Sequence, residues 1–132
     1  LKHFGLYKKQ KLCSATAIDI LFGSGGAEFS RIAYPLRAVA RRNDKRRSDA
    51  PLTFLISVPK KRLRHAVDRV KMRRRVREAF RLTHQTYPLP DGTQVDIAFI
   101  YVANDLAPYS AVARSMSRIL EALHDFYATD HS

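Results

Sequence analysis

Along the chain, the spacing of apolar residues changes several times, and each change predicts an element. From Ser14, which suits an N-cap, Ala17, Ile18, Leu21 and Phe22 recur at helical intervals until Gly23, Gly25 and Gly26 stop the pattern. Ile32 to Ala40 has the composition of one strand, with Pro35 placing it at a sheet edge or beside a bulge. Residues 41–51 are charged and unpatterned and predict an exposed basic loop. Leu52 to Val58 is rich in β-formers and reads as a central strand that Pro59 ends. From His65 or Ala66 to about His84 runs the longest predicted helix, with Met72, Val76, Ala79, Phe80 and Thr83 on one face. The turn residues Tyr87 to Gly92 break it. Gln94 to Ala103 predicts a second buried strand, in which Val95, Ile97, Phe99 and Tyr101 alternate against Asp96. Tyr109 to about Ala128 closes the pattern as an amphipathic helix whose apolar face is Val112, Met116, Ile119, Leu120, Leu123 and Tyr127. Helices and strands in this order predict an α+β fold, with helices packed on one small sheet.

A length of 132 residues suits a single domain, 1–132, in which residues 1–10 read as a flexible basic arm. The charge balance narrows the function classes. Lys and Arg number 24 against 12 Asp and Glu, a net charge of +12. Residues 1–81 hold 22 of those basic groups and 6 acids, whereas residues 82–132 hold only Arg114 and Arg118 against 6 acids. A cationic side opposite a mildly anionic one points to an oriented surface for a polyanion. The most apolar stretch, Val95 to Ala103, contains Asp96 and is far short of the roughly 20 residues that span a bilayer. With no signal-peptide pattern and a lone Cys13, the expected location is the cytoplasm and no disulfide is implied.

The chemistry concentrates in Lys60 to Arg81, which carries eleven basic residues and two acidic ones. On the predicted helix Arg74, Arg77 and Arg81 project away from the apolar face, with Lys71, Arg73 and Arg75 on its flanks. Like charges at helical spacings of three and four repel by a few tenths of a kcal/mol per pair, and a phosphate backbone relieves that repulsion. A helix kept basic only for solubility would interleave both signs, so nucleic-acid binding is the stronger reading. Val70 falls among these arginines and predicts contact with a partner. A DNA helix-turn-helix is disfavoured, because a strand and loop precede the basic helix. The histidines His3, His65, His84, His124 and His131 share no catalytic or metal-binding spacing, and no Asp–Glu cluster offers a site for Mg²⁺. No catalytic residue and no protein-bound metal or cofactor are expected.

The run Ser57-Val58-Pro59-Lys60-Lys61, then Ala66-Val67, Arg69, Lys71, Arg73-Arg74 and Arg77-Glu78-Ala79-Phe80-Arg81, resembles the bacterial ribonuclease P protein component. Its signature reads approximately S-V-S-K-K followed by A-V-x-R-N-R-x-K-R-x-x-R-E-A-F. Lys11-Leu12 before the first helix and the strand Ile97 to Tyr101 fit as well, so the resemblance spans most of residues 5–125. Two positions depart from it: Arg69-Val70-Lys71 stands for R-N-R, and Pro59 for the usual Ser.

The resemblance implies a two-layer α/β sandwich with a small mixed sheet and a left-handed β-α-β crossover, of the kind called ribosomal protein S5 domain 2-like. It implies the protein subunit of an endoribonuclease ribonucleoprotein whose catalysis resides in its RNA. The partners would be that catalytic RNA, which uses Mg²⁺, and precursor tRNA, whose 5′ end is matured. No membrane or small-molecule partner is implied. The RNA-binding set would be Lys60, Lys61, Arg62, Arg69, Lys71, Arg73, Arg74, Arg77 and Arg81. Ile18, Phe22, Arg37 and Ser57 would hold the 5′ leader. A structural RNA-binding protein of the ribosomal type, with no role in tRNA processing, is the rival reading.

Overall fold

The computed structural model describes residues 28–42, 52–90 and 92–128. The predicted N-terminal arm, the helix from Ser14 with Ile18 and Phe22, and most of the 41–51 loop lie outside these residues. Strand β1 (Phe29–Ala33) and strand β2 (Leu36–Arg42) form an antiparallel hairpin closed by Tyr34 and Pro35, whose peptide bond is cis. The single strand expected over Ile32 to Ala40 is therefore two. Pro35 brings no N–H to a ladder and turns the chain, while apolar residues on both sides of it hide the break in the pattern.

Strand β3 (Leu52–Ser57) leads into helix α1 (Ala66–Thr83), a short 3-10 turn (His84–Thr86) and strand β4 (Val95–Tyr101), and helix α2 (Tyr109–Ala128) completes the fold. The sheet order is β1-β2-β4-β3, with β4 antiparallel to β2 and parallel to β3. Helix α1 is thus the crossover of a β-α-β unit, and among the described residues the architecture is a mixed sheet with both helices on one face. The expectation that β3 lies centrally is corrected, since β4 inserts between β2 and β3 and leaves β3 at an edge. The β-rich composition of β3 reports that Leu52, Thr53 and Phe54 are buried, which does not require neighbours on both sides.

Alternation along the strands divides the sheet into two faces. Leu36, Ala38 and Ala40 of β2, Phe54 of β3, and Val95, Ile97, Phe99 and Tyr101 of β4 join the core beneath the helices. Met72, Val76, Ala79 and Phe80 enter it from α1. All six apolar positions predicted for α2 are buried, with Ser115 beside them donating to the Ala33 carbonyl. Phe80 is the centre of the packing, its ring centroid 4.8 Å from that of Phe54 and 5.7 Å from that of Phe99. Complete burial of a side chain of this size contributes roughly 1.5–3 kcal/mol. The ring of His84 stacks on Phe80 at 4.8 Å and its Nδ1 lies 2.9 Å from the Phe80 carbonyl, covering the end of α1.

Candidate nucleic-acid interface

Two candidate surfaces emerge, a basic one built on α1 and the turn before it, and a mixed one on the sheet face away from α1 and α2. Pro59 ends β3, and its carbonyl accepts the amides of Arg62 at 2.9 Å and Leu63 at 3.3 Å, closing a tight turn. Lys60 and Lys61 stand exposed on that turn, while Leu63 is buried in the core beneath it. Arg62 Nη1 donates to Asn104 Oδ1 at 3.1 Å, and Arg69 Nη1 donates to the carbonyls of Leu63 and Arg64, each at 2.9 Å. Lys61, Arg64, His65 and Asn104 border an open groove of about 530 Å³ beside the start of α1.

Along α1, Lys71 and Arg74 are exposed, and Arg73 and Arg77 are half-buried. Val70 is 39% exposed and Val67 73%, so the helical phase that put Val70 among the surface arginines holds. The basic face is less uniform than its wheel predicts. Arg75 donates to the Ala107 carbonyl at 2.5 Å and ties α1 to the loop before α2. Arg81 folds back onto Glu78, with nitrogen–oxygen distances of 3.0 and 2.6 Å. That hydrogen bond holds the Glu78 carboxyl below its ordinary value and raises the Arg81 guanidinium. Flexible guanidinium stems lie down along the surface wherever a carbonyl or carboxylate comes within reach.

On the other face, register places four residues in one row across all four strands. Ile32 pairs with Arg37, Arg37 with Ile100, and Ile100 with Ser57. Inter-strand spacings of about 4.8 Å make this row roughly 14 Å long. Ile32 is 65% exposed, Arg37 is exposed, and Ile100 and Ser57 are half-buried. One row inward, Val39 and Ala98 are buried, and further on Thr53 donates to the Asp96 carboxylate at 2.5 Å. Asp96, expected on a polar face, is therefore buried, and its partner hydroxyl lies on the parallel neighbour strand. Sequence reading names Arg37 and Ser57 of this row, but not their neighbours Ile32 and Ile100, nor Asn104 beside the turn. Cross-strand register is the signal for Ile32 and Ile100, and nothing local to Asn104 marks it.

Tyr101 closes one end of the sandwich, its hydroxyl donating to the Asp105 carbonyl and accepting the Ala107 amide at 3.0 Å. Burial pushes this phenol above its ordinary value. Among the described residues no three His, Cys, Asp or Glu side chains come together as a metal site, and no helix is long and apolar enough to cross a membrane.

Comparison with known proteins converges on one family. The Ribonuclease P family model matches residues 6–124. The chain is similar to the ribonuclease P protein components of two strains of Porphyromonas gingivalis, at 38% identity over 120 residues, covering 89% of this chain and 85% of each relative. Its fold matches that of the ribonuclease P protein from Staphylococcus aureus with a TM-score of 0.62 at 20% identity, covering 96% of this chain and 98% of that one.

Proposed function

We propose that this chain, which belongs to the ribonuclease P protein family, uses its two surfaces for two RNAs in the maturation of tRNA 5′ ends. The Lys60–Lys61 turn and the exposed cations of α1, Lys71 and Arg74 with Arg73 and Arg77 beside them, take the backbone of a catalytic RNA. Arg62, Arg69 and Arg81 belong to the same surface but spend donors on protein oxygens. The sheet face away from α1 and α2 takes the single-stranded 5′ leader of precursor tRNA along the row that contains Arg37 and Ser57. Ile18 and Phe22, outside the described residues, complete the leader site.

The observation that carries this reading is the separation of the two surfaces. The exposed cations of α1 lie on one side of the β-α-β unit, and a mixed apolar and cationic row lies on the other face of its sheet. Phosphate contacts fix position without reading sequence. A sheet presenting apolar side chains and a guanidinium suits unpaired nucleotides, as in other four-stranded single-strand binders. Bond cleavage, with Mg²⁺, resides in the partner RNA, and the protein contributes binding and orientation. The cytoplasm is the compartment of such an assembly.

Adding the purified protein to a bacterial ribonuclease P RNA at low Mg²⁺ tests this directly. The expected result is stimulated cleavage of precursor tRNA at its mature 5′ end. RNA binding without any stimulation would favour the structural, ribosomal type of protein instead.

A further inference from the structure

The basic turn before α1 is held from three sides. The Pro59 carbonyl closes it, the buried Leu63 side chain anchors it to the core, and Arg69 reaches back from the first turn of α1. Arg69 Nη1 carries two N–H groups, and the carbonyls of Leu63 and Arg64 lie 2.9 Å from this one nitrogen. Bonds from a charged donor are shorter and stronger than neutral ones, and the planar fork of arginine suits two neighbouring acceptors. On the far side of the turn, Arg62 is held by Asn104.

We propose that Arg69 is a positioning residue and not an RNA contact: it clamps the Pro59–His65 turn so that Lys60, Lys61 and Arg64 meet RNA phosphates as a preformed array. This rests on the reading of the α1 surface as the site for ribonuclease P RNA. Lys60, Lys61, Arg64 and His65 are exposed, whereas Arg69 is half-buried with its Nη1 spent on backbone carbonyls. A loop that must be ordered on binding loses affinity to that ordering, and a loop already fixed does not. Val70 and Lys71 follow directly in the helix, so the three-residue stretch Arg69-Val70-Lys71 divides into an inward clamp and two outward residues, both exposed.

The test measures binding of the full chain to a bacterial ribonuclease P RNA over a series of KCl concentrations. Four proteins are compared: the parent, Arg69→Ala, the pair Lys60→Ala with Lys61→Ala, and all three changes together. Arg69→Ala is expected to weaken binding roughly three- to tenfold, as for loss of preorganisation, with the salt slope of the parent. Its effect is also expected to shrink once the two lysines are gone, because groups acting through one another are not additive. In the free variant the amides of Arg62 and Leu63 should exchange faster while global melting stays close to the parent. Arg69→Gln serves as the second variant if Arg69→Ala folds poorly.

A salt slope reduced by about 0.7–0.9 for the Arg69 change alone, with losses that multiply, would overturn the clamp and make Arg69 a phosphate contact. Unchanged affinity would overturn it too. Failure of the parent to bind this RNA would instead sink the functional reading on which the clamp rests.

Discussion

Arg37 and Ser57 are the two cross-strand neighbours of Ile100, one on each side, although they lie on strands β2 and β3 that do not pair with each other. The crossover through α1 brings β4 between them and turns two distant sequence positions into one row. That row, extended by Ile32, places a cation, a hydroxyl and two apolar side chains on the sheet face away from α1 and α2.

Arg37→Ala should therefore lower the preference of the assembled ribonucleoprotein for precursor over mature tRNA. The expected drop is roughly three- to tenfold, in the range for losing one ordinary net hydrogen bond at a solvent-exposed position. Equilibrium binding of both tRNAs measures it, with affinity for the RNA subunit unchanged as the control. Equal losses for precursor and mature tRNA would remove Arg37 from the leader site.

Salt dependence separates phosphate contacts from other roles on α1. Affinity for ribonuclease P RNA should fall steeply between low and physiological salt. Lys71→Ala with Arg74→Ala should flatten the slope by about 1.4–1.8, from two lost contacts at roughly 0.7–0.9 each. An unchanged slope would mean that these exposed cations do not touch phosphate.

Glu78 offers a change in the opposite direction. Because its bond to Arg81 depresses the folded-state value, the pair contributes stability above the ordinary carboxylate range and loses it as pH falls through the depressed value. Both side chains meet solvent, so the contribution is small, and Glu78→Gln should melt near the parent at neutral pH with slightly less acid sensitivity. Its RNA affinity should rise a few-fold, roughly, because an anion leaves the basic face and Arg81 is released. Weaker binding would show that Glu78 instead aims Arg81 at the RNA.

Two substitutions contrast surface with interior. Val70→Asn, at an exposed position, should stay within about 0.5 kcal/mol of the parent in chemical denaturation. Tyr101→Phe removes the hydroxyl that serves both Asp105 and Ala107 and should cost about 1–3 kcal/mol. A large loss at Val70 would contradict its exposure, and none at Tyr101 would contradict the buried role of its hydroxyl.

The sequence by itself determined both described helices and the faces they bury. Helical period is a property of the local backbone, so Met72, Val76, Ala79 and Phe80 could be assigned inward, and Val112 to Tyr127 likewise, without knowing what they pack against. The strand alternation of Val95, Ile97, Phe99 and Tyr101 was legible for the same reason, as was the concentration of cations on α1 and the turn before it. Tertiary structure decided what local pattern does not encode. The edge position of β3 and the burial of Asp96 against Thr53 depend on a pairing between residues 43 positions apart, and the break of Ile32 to Ala40 into two strands depends on the chain turning back on itself at Pro35. The same holds for the arginines. Composition counts them equally, but Arg62, Arg69 and Arg75 find Asn104, the Leu63 and Arg64 carbonyls and the Ala107 carbonyl only once the fold has brought those oxygens within reach. A long, flexible cation takes whichever acceptor the surrounding chain presents, so the division of the basic surface into braces and free charges belongs to the fold.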